Sequence, residues 1–413
     1  MLNVQKIKSD FPYFSSNAGK KYLYADSAAT THKPKQVLDT INSIYAEHYA
    51  AISRTAHESG EIFGAMYYEA RRKTASFIGA HSPDEIIFTR NCTDAINHAA
   101  NMLLRSDPSL AIKPGSRIIS SVMEHHSNMV PWQELARLTG AEIVYAELTN
   151  AGVIDIDHFK SLINPNTRLA AFAHVSNVLG SINPVAELCA VCREAGLLTL
   201  IDGTQAAPHM DVDVSKIGCD FYAFSGHKML APTGTGALWA RAGLLEKMAP
   251  SFYGGGMIER VTTEGASWAA VPWKFEPGTP DACGAIALSA AVDYLTQIGM
   301  DAVHAHEQEL ASYTRKLLSK IDGIEILSPA AGCGIVSFIA KKNGQTGDSN
   351  IFGNILSGMG IVARTGGHCA YPLHEYLGLD KTGSIRLSYY IYNDNGDADR
   401  ICAGVESAAK SLL

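Results

Sequence analysis

The sequence predicts an α/β protein, with a mostly parallel central sheet followed by a smaller α+β region. Three observations predict it. Between residues 85 and 240, short β-branched and aromatic runs alternate with helix-like stretches, the pattern of successive β-α units. Five polar clusters each follow one of these runs directly, as expected where ligands sit beyond the carboxyl ends of parallel strands. Near residue 290 the alternation gives way to a long helical stretch, short strands and a last helix.

Strands are expected at Glu85–Thr89, Arg117–Ser121, Ile143–Ala146, Leu169–His174, Leu198–Ile201, Phe221–Phe224 and Ala237–Ala240. Helices are expected between them at Asp94–Leu104, Asn128–Thr139, Asp157–Leu162 and Pro184–Ala195. The polar clusters are Asn91–Asp94, Glu124–Asn128, His174–Asn177, Asp202–Gln205 and Ser225–Lys228. Gly284–Leu318 reads as one helical stretch, and the final helix as Asp397–Leu412. A chain of 413 residues implies two to three folding units at about 150 residues each. We read residues 22–290 as the large unit holding the site, and 1–21 with 291–413 as the small one.

Composition narrows the function. With 46% hydrophobic and 18% charged residues the chain can bury a large core. Its net charge of −7 and lack of a polybasic run argue against nucleic acid or anionic membrane as partners. There is no apolar run of about 18 residues. The opening MLNVQKIKSDFPYF lacks a secretory pattern, so a soluble, cytoplasmic enzyme is expected. Eight scattered cysteines do not form a disulfide framework. Cys189 and Cys192 lie at i and i+3 on a helix and read as buried thiols.

The strongest local signal is DFYAFSGHK, where a strand ends in a tight polar turn that presents Lys228. A lysine desolvated at a strand end has a lowered pKa and a free amine, a nucleophile toward a carbonyl. The strand LLTLID ends at Asp202, followed by Gly203, Thr204 and Gln205. A carboxylate one strand from such a lysine is what pyridoxal phosphate requires to keep its ring nitrogen protonated. In MEHHSN, an imidazole could stack on a flat ring, and His125 is favoured over His126. Zinc at these histidines would need further ligands at metal-like spacing, and none is evident.

In RNCTDAINH, Cys92 and Thr93 fall at a helix N-terminus, where free N–H groups favour a phosphate. N-capping by Thr93 would explain the same residues. Ser225 and His227 could add hydrogen bonds to that phosphate. The glycines of TGTG (Gly234 and Gly236) and GGG match no nucleotide motif and read as turns. RTGGHCAYPL places Cys369 in a glycine-containing, mobile loop, with His368 and Arg364 as cations that enrich its thiolate. Arg386 in SIRLSYYIYN could fork onto a carboxylate.

Together these motifs resemble a fold-type I pyridoxal-phosphate enzyme of the class V aminotransferase group. More narrowly they resemble the SUF-type (group II) cysteine desulfurases, close relatives of selenocysteine lyases. The likeness runs in order through YADSAAT, HYAAISR, MEHHSNMVPW, HVSNVLG, DGTQAAPH, DFYAFSGHKMLAPTGTG, FEPGTPD, RTGGHCAYPL and IRLSYYIYN. It implies that Lys228 links to the cofactor and moves protons on the substrate. It also implies that Asp202 pairs with the ring nitrogen, His125 stacks on the ring, and Gln205 reaches the phenolic oxygen. Thr93, Ser225 and His227 would hold the phosphate, with Cys92 at the same helix end. Thr279 would arrive from the other subunit of a homodimer. Asn177, Arg386, Arg364 and Arg54 would serve the substrate side. Cys369 would take sulfur from L-cysteine as a persulfide, leave alanine, and pass the sulfur to a SufE- or SufU-like acceptor for iron–sulfur cluster or other sulfur biosynthesis. No metal is implied.

The chain departs from the family pattern at Ser53, where His is frequent, at Cys92 and Asp94 in the block resembling RGTTE, and at Asp281, where Asn is common. Selenocysteine lyase activity would use the same residues. A C–S β-lyase acting on cystine or a thioether would use Lys228 without Cys369.

Overall fold

The computed structural model describes residues 2–52, 56–107 and 109–412. A short strand, β1 (Leu23–Tyr24), precedes the main sheet. That sheet comprises β2 (Ile86–Thr89), β3 (Arg117–Ser121), β4 (Glu142–Ala146), β5 (Thr167–Ala173), β6 (Leu198–Asp202), β7 (Phe221–Ser225) and β8 (Gly236–Ala240). The order is β2-β8-β7-β6-β5-β3-β4. Strands β4, β3, β5, β6 and β7 pair in parallel, whereas β8 is antiparallel to both neighbours. The reversal at β8 follows from the short β7–β8 connection, which turns the chain straight back and carries Lys228.

Strand sequences are apolar on both faces because helices cover both. Ala170 and Phe172 of β5 enter one core, while Leu169 and Ala171 enter the other. Leu200 and Ile201 of β6 divide the same way. The interleaved helices are Cys92–Arg105, Val130–Thr139, Ile156–Leu162 and Val185–Glu194. The expected Asn128–Thr139 helix starts later, because His126–Asn128 is a separate 3-10 turn. Cys189 and Cys192 are buried free thiols on the last of these helices.

The expected single stretch Gly284–Leu318 is two helices, Ala282–Ile298 and Met300–Leu318, bent by 75°. Gly299 breaks it at φ +89°, a conformation an L side chain resists. Asp281 caps the first helix, its side chain accepting from the Gly284 N–H at 2.8 Å. Asp and Asn cap equally well, so this departure preserves the helix start. No single helix among the described residues is long and apolar enough to cross a membrane.

Strands β9 (Ile258–Val261) and β10 (Ala266–Trp268) form an exposed hairpin that the periodicity did not show. Then come β11 (Ile324–Ile326), β12 (Ile335–Lys342), β13 (Gln345–Thr346), β14 (Ile361–Val362), β15 (Arg364–Gly366) and β16 (Ser384–Ser388). The second sheet runs β11-β12-β16-β15, with β13 on β12. Strand β14 instead pairs in parallel with β1. The chain after β1 bridges Asp26 to Ser388, and the Thr31 N–H then bonds the His227 carbonyl at 3.1 Å. One segment therefore ties the second sheet to the turn that carries Lys228.

Candidate active site

The carboxyl ends of the parallel strands open on one cavity of about 360 Å³. Eleven of the candidate residues line it: Cys92, Thr93, His125, Asn177, Asp202, Gln205, Ser225, His227, Lys228, Arg364 and Arg386. Lys228 sits in the 3-10 turn Gly226–Lys228, immediately after β7. Among the described residues no carboxylate pairs with its amine. Burial first, then Arg386, lowers its pKa to about 8, while Asp202 opposes the shift. At pH 7 about one molecule in ten then carries a neutral amine there, against roughly one in 3000 for an ordinary lysine.

The turn is anchored by its preceding carbonyl. The His227 oxygen accepts from the Thr31 N–H, Thr31 Oγ1, Thr30 Oγ1 and Lys33 Nζ, the last at 2.9 Å. Lys33 is itself half-buried, and burial lowers its pKa to about 7. Sequence reasoning missed this cradle, since THKPK shows nothing of the fold that brings it to residue 227. His227 is kept neutral, its pKa lowered to about 4 by burial and by the neighbouring lysines.

Asp202 ends β6 and turns Oδ1 toward two donors, the Thr204 N–H at 2.9 Å and the Cys92 thiol at 3.3 Å. Its other carboxylate oxygen has no protein donor among the described residues. His125 accepts the Ser127 N–H at Nδ1, 3.1 Å away. Burial and then Lys228 lower its pKa to about 4, so the ring is neutral and carries its proton on Nε2. Beneath it Glu124 is buried, bonded by Ser121 Oγ at 2.5 Å and Asn128 Nδ2 at 2.6 Å, and burial raises its pKa to about 8.

The second sheet contributes two arginines. Arg364 on β15 and Arg386 on β16 are directly opposite one another. Like charges at such positions are destabilising. Arg386 is fully buried; it donates to Asp26 Oδ1 at 3.1 Å and to the Asn177 carbonyl at 2.8 Å, and its Nε has no partner among the described residues. The Arg364 guanidinium has no hydrogen-bond or ion-pair partner among the described residues. Asp26 offsets only one of these two cations, and the remaining positive charge beside a buried lysine makes an anion site.

Cys369 does not line the cavity; its neighbour His368 does. The expected mobile loop is tied down. Asn177 Nδ2 donates to the His368 carbonyl at 2.8 Å, the His126 N–H to the Cys369 carbonyl at 2.7 Å, and the Tyr371 N–H to His126 Nε2 at 3.1 Å. His368 and Cys369 both take positive φ, 48° and 57°, which is strained for residues with a Cβ. His368 is no cation, because burial holds its pKa well below 6.5 and its Nε2 bonds Ser384. Of the two cations expected near the thiol only Arg364 remains, and Arg386 adds a positive charge that was not expected there.

A sequence profile of the aminotransferase class-V family matches residues 23–401. The chain belongs to that family. A probable cysteine desulfurase of Halalkalibacterium halodurans is 41% identical over 406 residues, 98% of each chain. A cysteine desulfurase of Cronobacter sakazakii is 40% identical, again over 98% of each. The solved structure of the cysteine desulfurase CsdA from Escherichia coli, bearing an S-sulfonic acid, superposes with TM-score 0.90 at 33% identity over the whole of both chains.

The cavity of this class-V family member fits pyridoxal phosphate. Gln205 Oε1 and Thr204 Oγ1 are buried there without hydrogen-bond partners among the described residues, and the Cys92–Arg105 helix points its N-terminus at the same space. Details differ from expectation. Asn91, not Thr93, caps that helix, accepting from the Asp94 N–H at 2.9 Å. The Cys92 N–H is taken by Ser225 Oγ and its thiol by Asp202, so Cys92 does not cradle an anion. Thr93 is left exposed to the cavity. Thr233 and Gly234 of TGTG, read as a turn, form part of the cavity wall. Thr279 lies in a separate cavity with Arg90, Asp94 and His98. Arg54 and Ser53 lie outside the described residues. Asp26, the partner of Arg386, went unrecognised because its role depends on a contact 360 residues away.

Proposed function

We propose that this protein is a pyridoxal-phosphate-dependent cysteine desulfurase that converts L-cysteine to L-alanine and leaves the sulfur as a persulfide on Cys369. The reading is carried by the buried Lys228 amine facing the opposed Arg364 and Arg386, with the Cys369 loop tied to the rim of the same cavity. When bound, the cofactor links to Lys228 and withdraws electrons from the substrate's α carbon. Asp202 holds a proton at the ring nitrogen through its open oxygen. Thr93, Ser225 and the helix N-terminus hold the phosphate, and Gln205 faces the phenolic oxygen. Arg364 and the free Nε of Arg386 hold the substrate carboxylate. Lys228 Nζ moves protons on the substrate.

The Cys369 thiolate attacks the substrate sulfur. A sulfur–sulfur bond forms and the carbon–sulfur bond breaks. Its electron pair stays with the three-carbon fragment, which takes up one proton and leaves as alanine. The protein acts as a homodimer in which Thr279 serves the partner's site; exposed Tyr45, Tyr49, Phe252, Tyr253 and Val261 support such an interface. A SufE- or SufU-like protein takes the sulfur in the cytoplasm.

The test supplies L-cysteine and quantifies alanine and pyruvate. Alanine that vanishes in Cys369→Ala supports desulfuration. Pyruvate insensitive to that change supports the second reading, a C–S β-lyase, which the position of Cys369 outside the cavity lining favours.

A further inference from the structure

Cys92 is out of place as a phosphate ligand and well placed for something else. It is fully buried, it opens the Cys92–Arg105 helix, and its N–H is committed to Ser225. Its Sγ lies 3.3 Å from Asp202 Oδ1, the oxygen that also accepts the Thr204 N–H. A carboxylate is acceptor-only, so the thiol must be the donor. Burial, with Asp202 adjacent, raises the thiol pKa well above 9 and keeps that proton in place.

We propose that Cys92 is a positioning residue for Asp202. Its S–H and the Thr204 N–H fix Oδ1 from two sides, which aims the other carboxylate oxygen at the ring nitrogen of the cofactor. The assignment rests on the pyridoxal-phosphate reading of the cavity. It gives a structural reason for a cysteine in the block resembling RGTTE: a thiol fills the space and donates one hydrogen bond, as a threonine hydroxyl would.

The experiment has two arms on the cofactor-loaded protein. Infrared difference spectra against Cys92→Ala isolate the Cys92 S–H stretch from those of the other seven thiols. The band should lie at a hydrogen-bonded frequency and shift in Asp202→Asn. Release of pyridoxal phosphate after dilution should be about threefold faster in Cys92→Val, the effect of one weak hydrogen bond, and restored in Cys92→Thr. A band indifferent to Asp202→Asn, or Val and Thr variants that release alike, overturns the proposal. If the cofactor reading itself is wrong, wild type binds no pyridoxal phosphate, while the infrared arm still reports the Cys92–Asp202 pair.

Discussion

Replacing Lys228 by methionine should stabilise the cofactor-free protein, by an amount that depends on pH. The amine titrates at about 8 in the fold and at about 10.4 unfolded. Folding therefore favours the neutral form. The stability tied to Lys228 is fully present above the unfolded value and is lost as pH falls through 8. At one pKa unit per 1.36 kcal/mol, the charged lysine costs about 3 kcal/mol at pH 7 and less than about 1 kcal/mol at pH 10. Urea unfolding of both cofactor-free proteins at the two pH values measures the difference. Packing of methionine against lysine adds a constant, and the low pKa of Lys33 is common to both proteins, so each cancels in the pH-dependent part. A gap between wild type and Lys228→Met that narrows by about 2 kcal/mol between pH 7 and pH 10 is expected. A gap that does not change with pH would show that the amine is not desolvated, and would remove the basis for its reactivity.

Four further outcomes follow from the geometry. Cys369→Ala should retain the yellow cofactor while alanine formation drops by at least about 100-fold. Arg364→Met should raise KM for cysteine about tenfold or more, the loss of a charge-assisted hydrogen bond, with cofactor occupancy unchanged by absorbance. Gly203→Ala should lower the melting temperature, because a Cβ there would meet the Tyr222 ring at 2.0 Å, and that ring is buried with its hydroxyl on His174. Glu124 has a raised pKa of about 8, so the stability it contributes is complete below the unfolded value and declines as pH rises through 8. Glu124→Gln should flatten the measured stability between pH 5 and pH 9.

The main sheet was legible because its strands are short apolar runs whose polar ends are contiguous in sequence. Asp202, His125, Lys228 and Ser225 each sit within a few residues of a strand end, so local pattern was enough to place them on one rim. What stayed hidden depends on distant partners. Asp26 matters through Arg386 and Lys33 through the His227 carbonyl, and neither contact leaves a trace in local periodicity. Gly299 was visible in the sequence, yet an isolated glycine inside an apolar helical pattern is compatible with a continuous helix; its positive φ, which turns the chain between two helices bent by 75°, leaves no mark in the pattern. Cys92 was placed correctly at the helix start and given the wrong partner, because the direction of its side chain is decided by β6.

The two halves of the chemistry come from different sheets. Lys228 follows β7 and Asp202 ends β6; the arginines lie on β15 and β16, and the thiol loop follows β15. Their relative position is set by a shared apolar core that takes in Ile335, Ala370, Leu373, Tyr390 and Tyr392, and by polar ties that include the 23–33 segment, the Arg386 bonds to Asp26 and Asn177, and the grip of Asn177 and His126 on the Cys369 loop. Asn177 occurs twice, its carbonyl holding the arginine and its amide holding the His368 carbonyl. A substrate carboxylate that engages the free Arg386 Nε would therefore act one residue away from the group that holds the loop. Two consecutive left-handed residues are stable only while such contacts over-determine them. If a substrate carboxylate draws Arg386 off the Asn177 carbonyl, the hold of the same residue's side-chain amide on the His368 carbonyl would loosen, and the Cys369 thiol would gain a route toward the cavity.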